Sequence, residues 1–349
     1  MAYTDIDKSD EYFNTVLYTG NNATGHAITG VGFQPDWTWI KERSSTSSHF
    51  VNDSVRGAGE NLYTNLTSAE GTNTALFTSF DSDGFTIGNT NQGNESGQTY
   101  VAWNWLADNT SGSSNTDGSI TSTVSANTTS GFSIVSYTGN QTSGATVGHS
   151  LGSTPSMIIV KSRDTANSWA VYHKGIGATG LVWLNLNNAT YTTSNIWNNT
   201  EPSSSVFTLG NNDTTTNKSG ESYIAYCFAE KKGFSKFGSY IGNGNADGTF
   251  IYTGFKPAFV MTKRSNNTEN WYILDNKRSP FNPPIKALSP NLSDAEDTNA
   301  TGRIQDFLSN GFKLRTSDTA VNGSGDTYIY MAFAENPFVT STGIAGTAR

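Results

Sequence analysis

Three features of the chain predict an all-β fold. Charged residues make up only 14% of its 349 residues, well under the roughly 25% usual in soluble domains, and Asn, Thr, Ser and Gly fill the gap. These types favour turns and pleated surfaces and are weak helix formers. YVAWNW (100–105) and YIAYCF (223–228) are almost wholly apolar or aromatic, as a central strand covered on both faces requires. FSIVSY (132–137) and WAVYH (169–173) alternate, as half-exposed strands do. Asp83-Gly84, Asn310-Gly311 and Asn322-Gly323 mark tight turns between such runs.

The strands recur in order. LYTG (17–20), SYTG (136–139) and SYIG (239–242) open three similar stretches. GFQPDWTWIKER (32–43), LGSTPSMIIVKSR (151–163) and GFKPAFVMTKRS (254–265) follow, each with a proline six residues before a lysine: Pro35 and Lys41, Pro155 and Lys161, Pro257 and Lys263. We read the proline as stiffening the turn into a core strand and the lysine as capping that strand where it meets water. Twelve residues beyond each lysine come Asp53, His173 and Asp275, closing HFVND, WAVYH and WYILD. DGFTIG, SVFTLG and NGFKLR, then SGQTYVAWNWLA, SGESYIAYCFAE and SGDTYIYMAFAE, complete the three copies.

A period of 100–120 residues is too long for a solenoid or propeller blade, roughly 20–50 residues, and suits a complete sandwich with its own core. The expected organisation is three tandem homologous β-sandwich domains of jelly-roll or lectin-like type, at 14–107, 132–230 and 234–335. An N-terminal arm (1–13) and a C-terminal tail (336–349) flank them. Residues 108–131 have the composition of a flexible linker, although SITSTVS within them alternates and would serve as an edge strand of the second unit. The stretch NKRSPFNPPIKALSPNLSDAED carries four of the nine prolines; it cannot be a central strand and reads as a stiff surface loop.

Composition also sets limits on function. A formal charge of -8 argues against nucleic acid, since phosphate binding needs clustered Lys and Arg. No apolar run approaches the roughly 18 residues that span a bilayer, and the first residues lack the basic and apolar regions of a secretion signal. The single cysteine, Cys227, sits in a strand-like run and reads as a buried structural thiol. His26, His49, His149 and His173 lack metal-ligand spacing. DSDG (81–84) lacks the later ligands of a calcium loop and reads as a plain turn. The carboxylates Asp36, Asp53, Glu60, Asp81, Asp83 and Glu95 nominate no acid–base pair. Neither a catalytic set nor a cofactor is expected.

The opening DKSDEYFNTVLYTG, the run GFQPDWTWIKER, the stretch GFSIVSYTGN…LGSTPSMIIVKSRD and the close GFKLRTSDT…TYIYMAFAENPF together resemble a group of tail-fibre-like and structural virion proteins of marine tailed bacteriophages, including cyanophages. The likeness covers nearly the whole chain. It implies a non-enzymatic virion protein, made in host cytoplasm and released by lysis, whose partners are other tail or capsid proteins and host surface glycans. The leading expectation is a tail-fibre or adhesin component; the alternative is a capsid decoration protein or tail connector docked through its terminal arms. A homo-oligomer is expected on general grounds of closed symmetry. Trp169 and Trp271, at matched positions, and Trp103 and Trp105, on one side of a strand, read as core. Trp183, Tyr191 and Trp197 lie among Asn and Thr in a stretch without an evident counterpart elsewhere. They are the candidate carbohydrate platform, because sugar C–H faces stack on rings while hydroxyls bond to amides.

Overall fold

The computed structural model of the protein describes residues 3–211 and 214–345. Three main antiparallel sheets carry the fold. The first places Phe13–Thr19, Thr99–Trp105, Trp37–Glu42 and Phe50–Asp53 side by side in that order. The second does the same with Phe132–Thr138, Ser222–Ala229, Pro155–Ser162 and Ala170–His173, and the third with Ser235–Ile241, Thr327–Pro337, Phe255–Arg264 and Trp271–Asp275. One strand order therefore serves all three. Against each lies a small outer sheet: His26–Thr29 with Gly84–Ile87 and Ser79–Asp81, Ala145–Gly148 with Val206–Leu209, and Phe250–Tyr252 with Gly311–Leu314 and Gln305–Leu308.

The main sheets are covered on both faces. Strand alternation sends Val101, Trp103 and Trp105 to one face of the first sheet and Tyr100 and Ala102 to the other. The second sheet divides Ile224, Tyr226 and Phe228 from Tyr223, Ala225 and Cys227, and the third divides Ile329, Met331 and Phe333 from Tyr328, Tyr330 and Ala332. The first-named set of each meets the others in one central core. There Trp37 stacks on Tyr226 with ring centroids 4.4 Å apart, and Phe13 on Phe333 at 4.8 Å. The second-named sets face their own outer sheets. Three self-contained cores were expected; instead one core is shared by all three sheets, and each keeps a private one behind it. This is also why WAVYH is buried along Ala170–His173 rather than half-exposed: its second face closes on a neighbouring sheet.

The recurring motifs acquire physical reasons. In SYTG and its partners, Tyr18, Tyr137 and Tyr240 stack on Tyr100, Tyr223 and Tyr328, with centroids 4.9, 5.2 and 5.0 Å apart. The following glycines admit a close backbone. A methyl group on Gly20, Gly139 or Gly242 would fall 2.2, 2.4 or 2.3 Å from the carbonyl oxygen of Glu95, Lys218 or Gly323. Just before those residues, Asn94, Asn217 and Asn322 are fully buried and tie the turn together: Asn217 donates to the carbonyls of Thr142 and Gly210 and accepts from the amide of Asn140. Pro155 and Pro257 sit at irregularities of the ladder, where the lost N–H is tolerated.

Two peripheral segments depart from expectation. Residues 108–131 are not a tether: Ser113–Asn115 and Ser122–Asn127 extend the second main sheet beyond Phe132–Thr138, because Ile120 and Val124 find a core to bury in. The terminal arms are not free for docking. Ile6 closes the central core, Tyr3 Oη donates to the Gly254 carbonyl at 2.8 Å, and Ser341 N–H donates to Asp7 Oδ1 at 2.6 Å. Of the C-terminal tail, residues 346–349 lie outside the described residues.

Candidate functional site

The chemistry-bearing side chains gather where the three main sheets meet. Three seams form a closed ring, first sheet to second, second to third, third to first. At each, a backbone N–H crosses to the residue two beyond the motif lysine: Glu70 N–H to the Arg163 carbonyl, Thr190 N–H to Ser265, and Glu296 N–H to Arg43, all at 2.8 Å. Ring N–H groups cross as well. Trp169 Nε1 donates to the Tyr63 carbonyl at 3.0 Å and Trp271 Nε1 to the Trp183 carbonyl at 2.9 Å. His49 holds the matching position in the first sheet, where its Nδ1 accepts from Trp39 Nε1.

Two seams are ionic. In the first-to-second seam, the guanidinium of Arg56 is buried against Asp53, Glu70 and the Val51 carbonyl, and Asp53 accepts the Tyr226 hydroxyl of the second sheet at 2.7 Å. Arg163 reaches Glu70 from the other side with a bond of 2.7 Å. The third-to-first seam repeats this: Arg278 on Asp275, Glu296 and the Ile273 carbonyl, Asp275 accepting from Trp103 Nε1 at 3.1 Å, and Arg43 forked onto Glu296 at 2.9 and 3.0 Å. Burial works against ionisation of Glu70 and Glu296, but their flanking guanidiniums outweigh it and hold both carboxyls below their ordinary range.

The second-to-third seam carries His173 where the others have Asp53 and Asp275, Ile176 for Arg56 and Arg278, Thr190 for the two glutamates and Ser265 for the outer arginines. Met331 takes the strand position of Tyr226 and Trp103. His173 is a neutral imidazole here: its Nε2–H donates to the Tyr330 carbonyl at 3.0 Å and its Nδ1 accepts from Gly175 N–H at 3.0 Å. Burial pushes its pKa down to about 4, against the pull of the Tyr330 carbonyl.

The motif lysines do not reach water. Lys41, Lys161 and Lys263 are fully buried, and each ammonium bonds carbonyls of nearby turns: Lys41 those of Glu42 and Ser45, Lys161 those of Ser162 and Thr165, Lys263 those of Arg264 and Asn187. Desolvation lowers each to about 8. An ammonium has three donors and no acceptor, and at each lysine two of the three are taken by carbonyls.

Several carboxylates are likewise engaged. Asp36, pushed up to about 6 by burial, accepts from Ser54 Oγ and from the amides of Ala107 and Asn109. Asp83 clamps the amides of Gly30 and Gly32. A cavity of about 550 Å³ lies between the N-terminal segment and the third sheet; its Glu335 is held by Lys256 and Asn276 and its Asp7 by Ser341. Glu42 and Glu95 share a cavity of about 430 Å³, where burial raises Glu42 and Glu95 adds to that rise. Among the described residues no group of three His, Cys, Asp or Glu is placed to hold a metal ion. Cys227 is buried beside Ser133, and burial holds its thiol protonated.

The candidate sugar residues do not form one platform. Tyr191 is 57% exposed, Trp183 is half-buried, and Trp197 is buried edge-on to Tyr172 in the second outer core. Their stretch does have a counterpart, 120 residues earlier: Asn185 accepts the Trp169 amide as Asn65 accepts that of His49, and Trp197 takes the place of buried Phe77. The change from Phe to Trp disguised the equivalence.

The geometry defines an all-β body of three sheets on one core. Residues 8–337 match the model of a family described as a domain of unknown function, DUF7483, and the chain belongs to that family. The match spans all three main sheets. No curated protein and no solved structure matches the chain.

Proposed function

We propose that the protein is a non-enzymatic component of a tailed-phage virion that works by contact, as a tail-fibre or adhesin part touching host surface glycans. The observation that carries this reading is the shared core: three sheets, closed by the N-terminal segment, make a rigid scaffold whose buried charges hold the seams rather than face a substrate. The sequence resemblance to virion proteins supplies the context, and the neutral Asn-, Ser- and Thr-rich exterior suits existence outside a cell. Capsid decoration is the second reading, favoured by the lack of a shaft-like extension among the described residues; the described parts of the terminal arms, tied down as they are, would not be its docking elements. Assembly as a homo-oligomer belongs to either reading; light scattering that gives one 37.5 kDa chain at all concentrations would remove it.

Immunogold electron microscopy of the particle, with antibody against this chain, tests the proposal. Gold at fibre tips supports the adhesin, gold over the head supports decoration, and absence of the chain from purified particles contradicts both.

A further inference from the structure

The outer sheets differ in what they present to solvent. Register aligns Phe250 and Tyr252 of the third with Ala27 and Thr29 of the first and with Thr146 and Gly148 of the second. Between them, Ile251, Ile28 and Val147 point into the respective cores. The first outer sheet thus shows small or polar groups at these positions and the second shows Thr146, with Gly148 buried beneath Asn115, while the third shows two rings, 43% and 53% exposed. The first outer sheet closes over its core without rings at these positions.

Both rings come close to the backbone of their own sheet. A methyl group on Gly311 would lie 3.1 Å from the Phe250 ring, and one on Gly254 would lie 3.7 Å from that of Tyr252. Each ring thus has an edge atom beside a glycine, and Tyr252 Oη is fixed by a 3.1 Å bond to Tyr3 Oη. At the far edge of the same sheet, Asn282 bonds both backbone groups of Phe307, and this anchors the loop that carries Phe281, 80% exposed. The charges on the face cancel in pairs: Lys313 with Asp247 at 2.8 Å, and Arg315 with Asp306 at 2.5 Å.

We propose that this face, Phe250 and Tyr252 with Phe281 at its edge, is a carbohydrate-binding site for an uncharged glycan. Exposed rings on a sheet offer π surface to sugar C–H groups, and the flanking amide and paired ionic side chains offer hydrogen bonds to hydroxyls. Charges already neutralised by one another complement a neutral ligand better than an acidic polysaccharide. The site rests on the contact function proposed above but places it on the third sheet, away from Trp183 and Tyr191.

The test is binding of the full chain to immobilised neutral and acidic glycans. It compares wild type, Phe250→Ala/Tyr252→Thr, Phe281→Ala, and Leu66→Ala as a control of similar exposure (38%) elsewhere. The double variant copies Ala27 and Thr29 of the first outer sheet, so it is expected to fold, as circular dichroism checks. The expected result is neutral-glycan binding that salt leaves unchanged, weakened roughly tenfold or more in the double variant, weakened less in Phe281→Ala and unaltered in Leu66→Ala. Equal binding by the double variant overturns the site while leaving the adhesin reading intact. Absence of any neutral-glycan binding by wild type overturns the site too, and the immunogold result then decides the wider reading separately. A dimer that the double variant abolishes would assign the face to a second copy and also overturn the proposal.

Discussion

The two ionic seams and the neutral one hold the same geometry by different means. Asp53 with Arg56, and Asp275 with Arg278, place a fully buried carboxylate against a fully buried guanidinium. His173 with Ile176 fills the same place with an imidazole and a methyl-bearing chain. The comparison teaches that the seam's backbone plan, not its charge, sets how the sheets meet. The 2.8 Å cross-seam amide bond is present in all three. Buried ion pairs are weak sources of net stability but are costly to break singly, so the ionic seams should be the brittle ones.

The largest expected effect follows. Arg56→Ala or Arg278→Ala leaves a buried carboxylate uncompensated and should cost roughly 3–5 kcal/mol in denaturant unfolding. Ile176→Ala, at the matching place, should cost only about 1–2 kcal/mol for its partly buried side chain. Equal losses would erase the distinction between seams.

Acid should also separate them. An unfolded histidine titrates near 6.5, and folded His173 is pushed down to about 4, so the unfolded state binds the extra proton. Its contribution is intact above pH 6.5 and is lost as pH falls from 6.5 towards 4, about 3 kcal/mol at about 1.4 kcal/mol per unit. Glu70 and Glu296, held low, contribute above an ordinary glutamate pKa near 4.5 and lose that contribution as pH falls below it. His49 and His149 are buried and lowered too, with the same sign as His173. Comparing wild type with His173→Asn by urea unfolding at pH 7 and pH 4.5 isolates the one group. The variant should lose less stability over that interval, and identical pH slopes would contradict the assignment.

A double change sharpens the same contrast. Asp53→His/Arg56→Ile converts part of an ionic seam to the neutral pattern. It should cost less than the two single changes summed, with a coupling of roughly 0.5–3 kcal/mol in a double-mutant cycle. The smallest effect is expected at the rim: Arg163→Ser, which copies Ser265, removes one partly exposed partner of Glu70 and should cost about 1 kcal/mol. A loss as large as that of Arg56→Ala would move the weight of the seam outward.

Much of this was legible in the sequence, and the misses share a cause. Alternation and turn chemistry marked the strands, and the spacing of Lys41, Lys161 and Lys263 from Asp53, His173 and Asp275 aligned them correctly. The spacing could not say what lay opposite. A strand buried on both faces, such as Ala170–His173, has no polar side to betray which neighbour covers it, so local pattern does not distinguish one shared core from three separate ones. The lysines looked solvent-bound because charge usually is; the carbonyls that hold them belong to turns whose shape no local pattern encodes. Arg56 and Arg278 stand three residues beyond the aligned acids, a signal present but unread. Trp197 carries no local sign of its burial, because Phe77, its counterpart, is a different ring. Phe250 and Tyr252 become conspicuous only after register places them beside Ala27, Thr29, Thr146 and Gly148.

The measurement that bears most directly on the shared core is calorimetric unfolding of the whole chain at neutral pH. One core shared by three sheets predicts a single transition whose van 't Hoff and calorimetric enthalpies agree. Two or three resolved transitions, or a calorimetric enthalpy two to three times the van 't Hoff value, would mean that the sheets unfold as separate domains and would contradict it.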